Sequence, residues 1–201
     1  MIPDWFVFVA IGFNFVGIIG YVAAVLRGRA RPNRVTFALW ALAPLIAFAA
    51  EVQEGVGIRS LLTLAVGLGP LFVLGASYIS RQAEWEITRF DLVCGALSLV
   101  GLALWIVSGD GNVAIAFAIA ADGLAALPTV RKSYLDPDSE HAPAYGCAFI
   151  ASGITLLTVG ELTFAAVAFP LYLLAINGLI IALVVSRIGL RRAPLAERVD
   201  S

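Results

Sequence analysis

One acidic residue lies deep inside a long apolar segment of the sequence. Asp122 stands in the run AIAADGLAAL, and no other charged residue lies so far from the ends of an apolar segment. An aspartate at the centre of a membrane helix costs about 2.5 to 3.5 kcal/mol on insertion scales, so we expect its side chain to face the interior of a helix bundle. Asp122 is therefore a candidate proton carrier or ligand for a cationic substrate. The alternative is a structural hydrogen bond to a neighbouring helix.

Further polar side chains lie at comparable depths in other apolar segments. Asn14 has the depth in the first segment that Asp122 has in the fifth, and these two with Asn177 predict a polar chamber near the membrane midplane. Ser77 and Tyr172 complete the predicted substrate-binding set. For each asparagine the alternative is a hydrogen bond that only holds helices together, worth about 0.6 kcal/mol.

Four prolines lie inside or near the inner ends of apolar segments: Pro44, Pro70, Pro128 and Pro170. Each removes a backbone donor and can kink its helix, which makes these prolines candidate gating positions. Prolines are also ordinary in membrane helices, because neighbouring groups satisfy the freed carbonyls. Both interpretations remain open from the sequence.

The other residue types do not assemble into a catalytic or metal-binding set. His141 is the only histidine and stands in the polar loop SYLDPDSEHAP, where a lone histidine is usually solvated. Cys94 and Cys147 fit small apolar packing positions better than a disulfide. Trp40 and Phe72 can pack on a ligand, although aromatic residues in such a chain more often face lipid or the core. The sequence therefore predicts no enzyme, no metal site and no cofactor.

The elements that must position these residues are apolar helices. Of the 201 residues 61% are hydrophobic and 13% are charged, whereas soluble proteins carry about 25% charged residues. A bilayer core of about 30 Å requires about 20 mostly apolar residues in helical form. Seven stretches meet this requirement: 5–26, 34–52, 60–79, 91–108, 113–131, 143–160 and 162–186. The predicted fold is an all-α polytopic membrane protein with seven transmembrane helices.

Basic residues concentrate on one side of the predicted bundle. Arginine and lysine in short loops are retained on the cytoplasmic side. Twelve of the thirteen basic residues flank the connections after the first, third and fifth helices or lie in the tail, and only Arg59 lies on the other side. This distribution predicts an N-terminus outside and a C-terminus in the cytoplasm. The short loops and the lack of targeting features predict a prokaryotic inner membrane.

The sequence also contains an internal repeat. The segment PLFVLG at 70–75 and the segment PLYLLA at 170–175 match in residue type one hundred positions apart. The exits of the first and fifth helices, VLRGRARPNR and TVRKSYLDPDSE, both place basic residues before a proline. We predict one transmembrane domain made of a three-helix repeat, an inversion linker helix, a second parallel repeat and a cytoplasmic tail. These parts span 1–80, 91–108, 113–187 and 188–201.

This arrangement resembles the PQ-loop superfamily, which includes the SWEET sugar transporters and related vitamin-precursor transporters. The resemblance covers the whole chain as topology, and as sequence it is carried by Gly20-Tyr21 through Arg34 and by Ala126 through Lys132. The chain contains no Pro-Gln dipeptide, and Pro128-Thr129 stands where the motif of the fifth helix would be.

The resemblance implies a small-molecule transporter that moves a small polar solute by alternating access through a midplane cavity. The expected partners are membrane lipid and that solute; proton coupling and a homo-oligomer are left open. The net charge of −1 excludes nucleic acid as a partner. The alternatives are a membrane scaffold or accessory subunit, and a seven-helix receptor without retinal. Retinal requires a lysine in the last helix, but the only lysine, Lys132, lies in the fifth.

Overall fold

The computed structural model describes residues 2–3, 5–53, 60–80, 82, 85–108, 111–160 and 162–196. Within these ranges the chain forms seven α-helices and no β-strand, which confirms the predicted all-α fold with seven helices. The helices are α1 (Phe6–Leu26), α2 (Arg34–Gln53), α3 (Ser60–Ile79), α4 (Arg89–Val107), α5 (Gly111–Leu135), α6 (Ala142–Thr158) and α7 (Phe164–Ala196). A short 3-10 helix, Pro137–Ser139, precedes α6.

Two helices extend beyond the predicted apolar stretches. Helix α5 continues to Leu135, and α7 continues to Ala196, into the segment expected to be the tail. An apolar stretch marks only the part of a helix that suits lipid, whereas the helix itself continues until a breaker ends it. For α5 the breaker is Pro137, because a proline disfavours the helical conformation at the residue before it.

Local signals explain where several helices begin. Thr88 and Asp91 form a capping box at α4, with the Thr88 N–H donating to Asp91 Oδ2 at 2.8 Å and the Asp91 N–H donating to Thr88 Oγ1 at 3.4 Å. At α2, Asn33 Oδ1 accepts from the N–H groups of Val35 and Thr36 at 3.0 and 3.2 Å. Such caps contribute about 1 kcal/mol each. They fix the connections that lead into both helices.

Among the described residues, three helical segments are long and apolar enough to cross a membrane, namely Phe6–Leu26, Arg89–Val107 and Ala166–Ser186. Shorter apolar helical segments occur at Arg34–Ile46, Val66–Ile79 and Ala142–Thr158. Many large apolar side chains are exposed on the outer faces of the helices: Phe8, Ile19, Val66, Ile79, Leu92, Val107, Leu157 and Val185. The outer surface of the bundle is therefore largely apolar.

Helix α3 packs against both α1 and α2, and α7 packs against both α5 and α6. Helix α1 also packs against α6, and α2 packs against α5. Helix α4 packs against α5 and α2. The four predicted gating prolines all lie within helices: Pro44 in α2, Pro70 in α3, Pro128 in α5 and Pro170 in α7.

Candidate functional site

The first feature is a contact between Asp122 on α5 and Tyr172 on α7. The Tyr172 hydroxyl donates to Asp122 Oδ2 at 2.5 Å. Two residues that were predicted separately are thus brought together by the packing of α7 on α5.

Trp40 adds a third side chain from α2. Its indole N–H is buried and interacts with the Asp122 carboxylate, yet it makes no hydrogen bond of ordinary geometry within the described part of the chain. The Trp40 ring is held edge-on by Phe37, with centroids 5.4 Å apart. We call the group of Trp40, Asp122 and Tyr172 the Asp122 site.

The Asp122 site lies on the interior side of its helices. Asp122 is about 140° around α5 from Leu127, counted at 3.6 residues per turn, and Leu127 is exposed on the outer surface. Trp40 is about 160° around α2 from the exposed Leu42. Asp122, Trp40 and Tyr172 nevertheless keep an intermediate exposure. None of the three side chains is fully buried.

The other predicted substrate residues make hydrogen bonds within their own helices. Asn14 Nδ2 donates to the Ala10 carbonyl at 3.4 Å, and Asn177 Nδ2 donates to the Leu173 carbonyl at 2.8 Å. Both asparagines lie on the side of their helix opposite exposed apolar residues, about 140° from Ile19 on α1 and about 160° from Leu179 on α7. Convergence of Asn14, Asp122 and Asn177 on one chamber stays a prediction.

Ser77 is held by an arginine at the start of α2. Its hydroxyl donates to the Leu74 carbonyl at 2.6 Å and accepts from Arg34 Nε at 3.3 Å. Arg34 also donates to the Ser77 carbonyl at 2.8 Å. The Ser77 side chain is fully buried, so its visible role is to join α2 to α3. Its part in substrate binding stays a prediction.

A second group of polar side chains surrounds Glu140, just before α6. Lys132 Nζ lies 2.7 Å from Glu140 Oε1, and both side chains have an exposed fraction of 0%. The hydroxyls of Tyr21 and Tyr145 donate to Glu140 Oε2 at 2.6 and 3.0 Å. Lys132 also donates to the Arg31 carbonyl. We call Tyr21, Lys132, Glu140 and Tyr145 the Glu140 cluster.

The connection between α1 and α2 is bonded to the connection that carries Glu140. The Arg31 N–H donates to the Ser139 carbonyl at 2.8 Å, and the Arg31 guanidinium pairs with the Asp136 carboxylate. Ser139 in turn donates to the Asp136 carbonyl at 2.7 Å, which tightens the turn around Pro137. The two connections that carry the repeated basic and proline pattern therefore bind each other.

His141 packs against the same cluster. Its ring meets the Tyr21 ring edge-on with centroids 5.8 Å apart, and a Cβ added at Gly20 would lie only 3.1 Å from His141 Cε1. The expected solvated loop histidine is therefore packed on α1. Partial burial lowers the pKa of His141 below its ordinary value of 6.5, while the Glu140 charge acts in the opposite direction.

Sequence reasoning missed the Glu140 cluster. Neither Glu140 nor Lys132 was a predicted site residue. A usable signal existed in the loop YLDPDSEH, because it combines acidic residues with a proline beside two helix ends that carry tyrosines. Within the described residues, no group of three or more His, Cys, Asp or Glu side chains is placed to hold a metal ion.

Comparisons with known proteins add no relative: no family model, no curated protein and no solved structure matches this chain. The chemistry of this chain must therefore be inferred from the Asp122 site and the Glu140 cluster. The Asp122 site offers a carboxylate, a hydroxyl and an indole N–H to a small ligand. The Glu140 cluster offers a neutralised and fully buried ion pair, which suits a structural or gating contact.

Proposed function

We propose that this chain is a membrane transporter with two parallel three-helix repeats, which moves a small polar solute by alternating access around the Asp122 site. Its N-terminus lies outside, and its C-terminus lies in the cytoplasm of a prokaryotic cell. The observation that carries this proposal is the Asp122 carboxylate, which faces the bundle interior and contacts side chains from both halves of the chain.

The apolar outer surface supports insertion in a membrane. Exposed apolar patches as large as those on these helices are rare on soluble monomers. Ile19, Val107 and Leu157 have exposed fractions of 66%, 76% and 57%. Lipid is the solvent that suits such a surface. The orientation rests on the asymmetry of the basic residues in the sequence.

The pairs of packed helices support the repeat. If α1, α2 and α3 are exchanged with α5, α6 and α7, the contacts α1–α3 and α2–α3 become α5–α7 and α6–α7. The contact α1–α6 becomes α5–α2 under the same exchange. All of these contacts exist, and α4 is the helix left over. A pseudo-twofold relation of this kind is typical of transporters built from parallel repeats, and it agrees with the 3+1+3 order of the PQ-loop superfamily.

The position of the Asp122 site supports alternating access. Trp40 comes from the first repeat, whereas Asp122 and Tyr172 come from the second. A site shared in this way changes its contacts when one repeat moves against the other, which couples binding to motion.

The Glu140 cluster supports a closed gate at the cytoplasmic end. Tyr21 and the Arg31 carbonyl come from the first repeat, and Glu140 and Lys132 come from the second. Lys132 lies ten residues after Asp122 on α5, which is about 15 Å along the helix axis. In this proposal the contacts between these groups seal the cytoplasmic end, and they break when the site opens inward.

Labelling of an introduced cysteine tests whether the interior is wet. In a C94A/C147A background, N177C and L179C are exposed in intact membranes to a water-soluble thiol reagent. Asn177 faces the interior, whereas Leu179 lies about 160° away on the same helix and is exposed on the outer surface. We expect N177C to react with the reagent and L179C, facing lipid, to be protected.

Equal protection of both cysteines would overturn the transport proposal. Co-purification of a stoichiometric protein partner with such an unreactive bundle would then favour the scaffold or accessory subunit. Reaction at N177C alone excludes a dry bundle whose polar residues only hold helices together.

A further inference from the structure

Glu140 and Asp122 are two acids inside the described part of the bundle, and they differ in their partners. Glu140 has Lys132 Nζ at 2.7 Å, so its charge is neutralised inside the protein. Asp122 has only neutral neighbours, and neither of the two ion pairs among the described residues includes it. A carboxylate withdrawn from water is costly unless a cation pairs with it. The Asp122 site therefore lacks a positive charge that the Glu140 cluster has.

The surroundings of the Lys132 ammonium show what this set of groups binds. Lys132 Nζ lies 2.7 Å from Glu140 Oε1 and 5.1 Å from the centroid of the Trp85 ring. The carboxylate is held from the other side by the Tyr21 hydroxyl at 2.6 Å. The ammonium thus contacts a carboxylate, the Arg31 carbonyl and a tryptophan ring, and a tyrosine hydroxyl binds the same carboxylate.

The Asp122 site also combines a carboxylate, a tyrosine hydroxyl and a tryptophan, here with the Trp40 indole N–H toward the carboxylate, and no ammonium of the described residues pairs with it. Its carboxylate is held by the Tyr172 hydroxyl at 2.5 Å, and Trp40 is the tryptophan. Phe169 lies against Tyr172 with ring centroids 5.9 Å apart, which adds a further aromatic face. Aromatic faces attract cations through the ring quadrupole, and the attraction is stronger where water is excluded.

We propose that the transported solute is a small organic cation, an amine or quaternary ammonium compound, bound between the Asp122 carboxylate and the rings of Trp40 and Tyr172. This inference rests on the proposed transport function and names its substrate class. An anionic solute would be repelled by Asp122. A sugar would require several donors and acceptors, whereas Asn14 and Asn177 bind carbonyls of their own helices.

Binding of tetramethylammonium to the purified full chain in detergent tests this inference. The probe has a neutral counterpart of similar size in tert-butanol, and glucose serves as the sugar control. We expect tetramethylammonium to quench tryptophan fluorescence in a saturable manner, and we expect tert-butanol and glucose to have no saturable effect. Choline and methylammonium extend the series to a larger and a smaller cation.

Three variants assign the binding to the site. D122N should weaken tetramethylammonium binding about tenfold or more, because it removes the negative charge of the Asp122 site. W40L should weaken this binding about two- to fivefold, because it removes one aromatic ring. E86Q is the control, since Glu86 is an exposed acid outside the helices, and it should leave the affinity unchanged. Binding of W40L is followed by calorimetry, because this variant changes the fluorescence itself.

Two results would overturn the inference. One is equal affinity of the native chain and D122N for tetramethylammonium, and the other is no binding of any of the three cations. If N177C still reacts with the water-soluble reagent, such results remove the organic cation and leave the transport proposal intact. An unreactive N177C would overturn both the organic-cation substrate and the transport proposal.

Discussion

Lys132 Nζ lies 2.7 Å from Glu140 Oε1, and neither side chain has any exposed surface. This pair joins the end of α5 to the residue two positions before α6. The remaining oxygen of Glu140 is occupied by hydroxyls from α1 and α6. Three helices from both halves of the chain therefore depend on one carboxylate, which makes Glu140 the central residue of this end of the bundle.

Replacing either Lys132 or Glu140 alone should strongly destabilise the protein. E140Q and K132M should each lower the free energy of unfolding by about 3 to 5 kcal/mol, because each leaves an uncompensated buried charge. The K132M/E140Q double variant should recover part of this loss. The measurement is thermal unfolding in detergent. D136N serves as the control: it removes the partly exposed partner of Arg31 and should cost about 1 kcal/mol or less. A double variant that loses the sum of both single losses would disprove the coupling.

The tyrosine hydroxyls on Glu140 should each contribute measurably. Y21F and Y145F should each lower stability by about 1.5 to 3 kcal/mol, the range for hydrogen bonds to charged groups. Y21F should have the larger effect, since its donor distance is 2.6 Å against 3.0 Å for Tyr145. Tyr78 is 67% exposed, so Y78F provides the control with no expected change. Equal melting temperatures for Y21F and Y78F would show that Tyr21 is dispensable.

Stability should fall as the pH is lowered because of His141. The pKa of His141 is lowered in the folded chain by partial burial, so folding favours the neutral ring. Its contribution is present above the ordinary value of 6.5 and is lost as the pH falls from there through the folded pKa. The charged and titratable groups that face it are Glu140 and Tyr21. Melting temperatures of native chain and H141N between pH 5 and 7.5 should differ in slope; parallel curves would refute this.

Close approach of α1 and α6 requires a glycine at position 17. A Cβ at Gly17 would lie 2.9 Å from Cys147 Cβ and 3.0 Å from the Ala144 carbonyl oxygen. G17A should therefore cost about 1 to 3 kcal/mol through overpacking at the contact between the two halves. A Cβ at Gly12 on the same helix meets nothing within 4 Å, so G12A should be neutral or slightly stabilising. Thermal unfolding that ranks G12A below G17A would contradict this packing.

The helices could be predicted from the sequence because each apolar run is long and bounded by turn residues. The helix ends were less predictable, and α7 shows why: its predicted stretch stopped at 186, whereas the helix continues to Ala196. Hydropathy decreases where the helix leaves the apolar region, but helical hydrogen bonding does not depend on hydropathy.

The Asp122 site was predictable in part and the Glu140 cluster was not. The depth of Asp122 singled it out, but its bond to Tyr172 joins residues 50 positions apart. Tyr21 and Glu140 are separated by 119 positions. Such contacts depend on how α1, α5, α6 and α7 pack, which a periodicity of apolar residues does not specify. The repeated basic and proline pattern marks the connections where the Glu140 cluster forms. It does not indicate which side chains make the contacts.

The sidedness of labelling at N177C tests the alternating-access claim most directly. In right-side-out vesicles, a membrane-impermeant thiol reagent should reach N177C from outside, and in inside-out vesicles the Glu140 cluster should block it. Adding Y21F and Y145F to N177C should open the cytoplasmic end and raise labelling in inside-out vesicles severalfold. If the labelling from each side stays the same when these two hydroxyls are removed, the cluster is not a gate and the account is wrong.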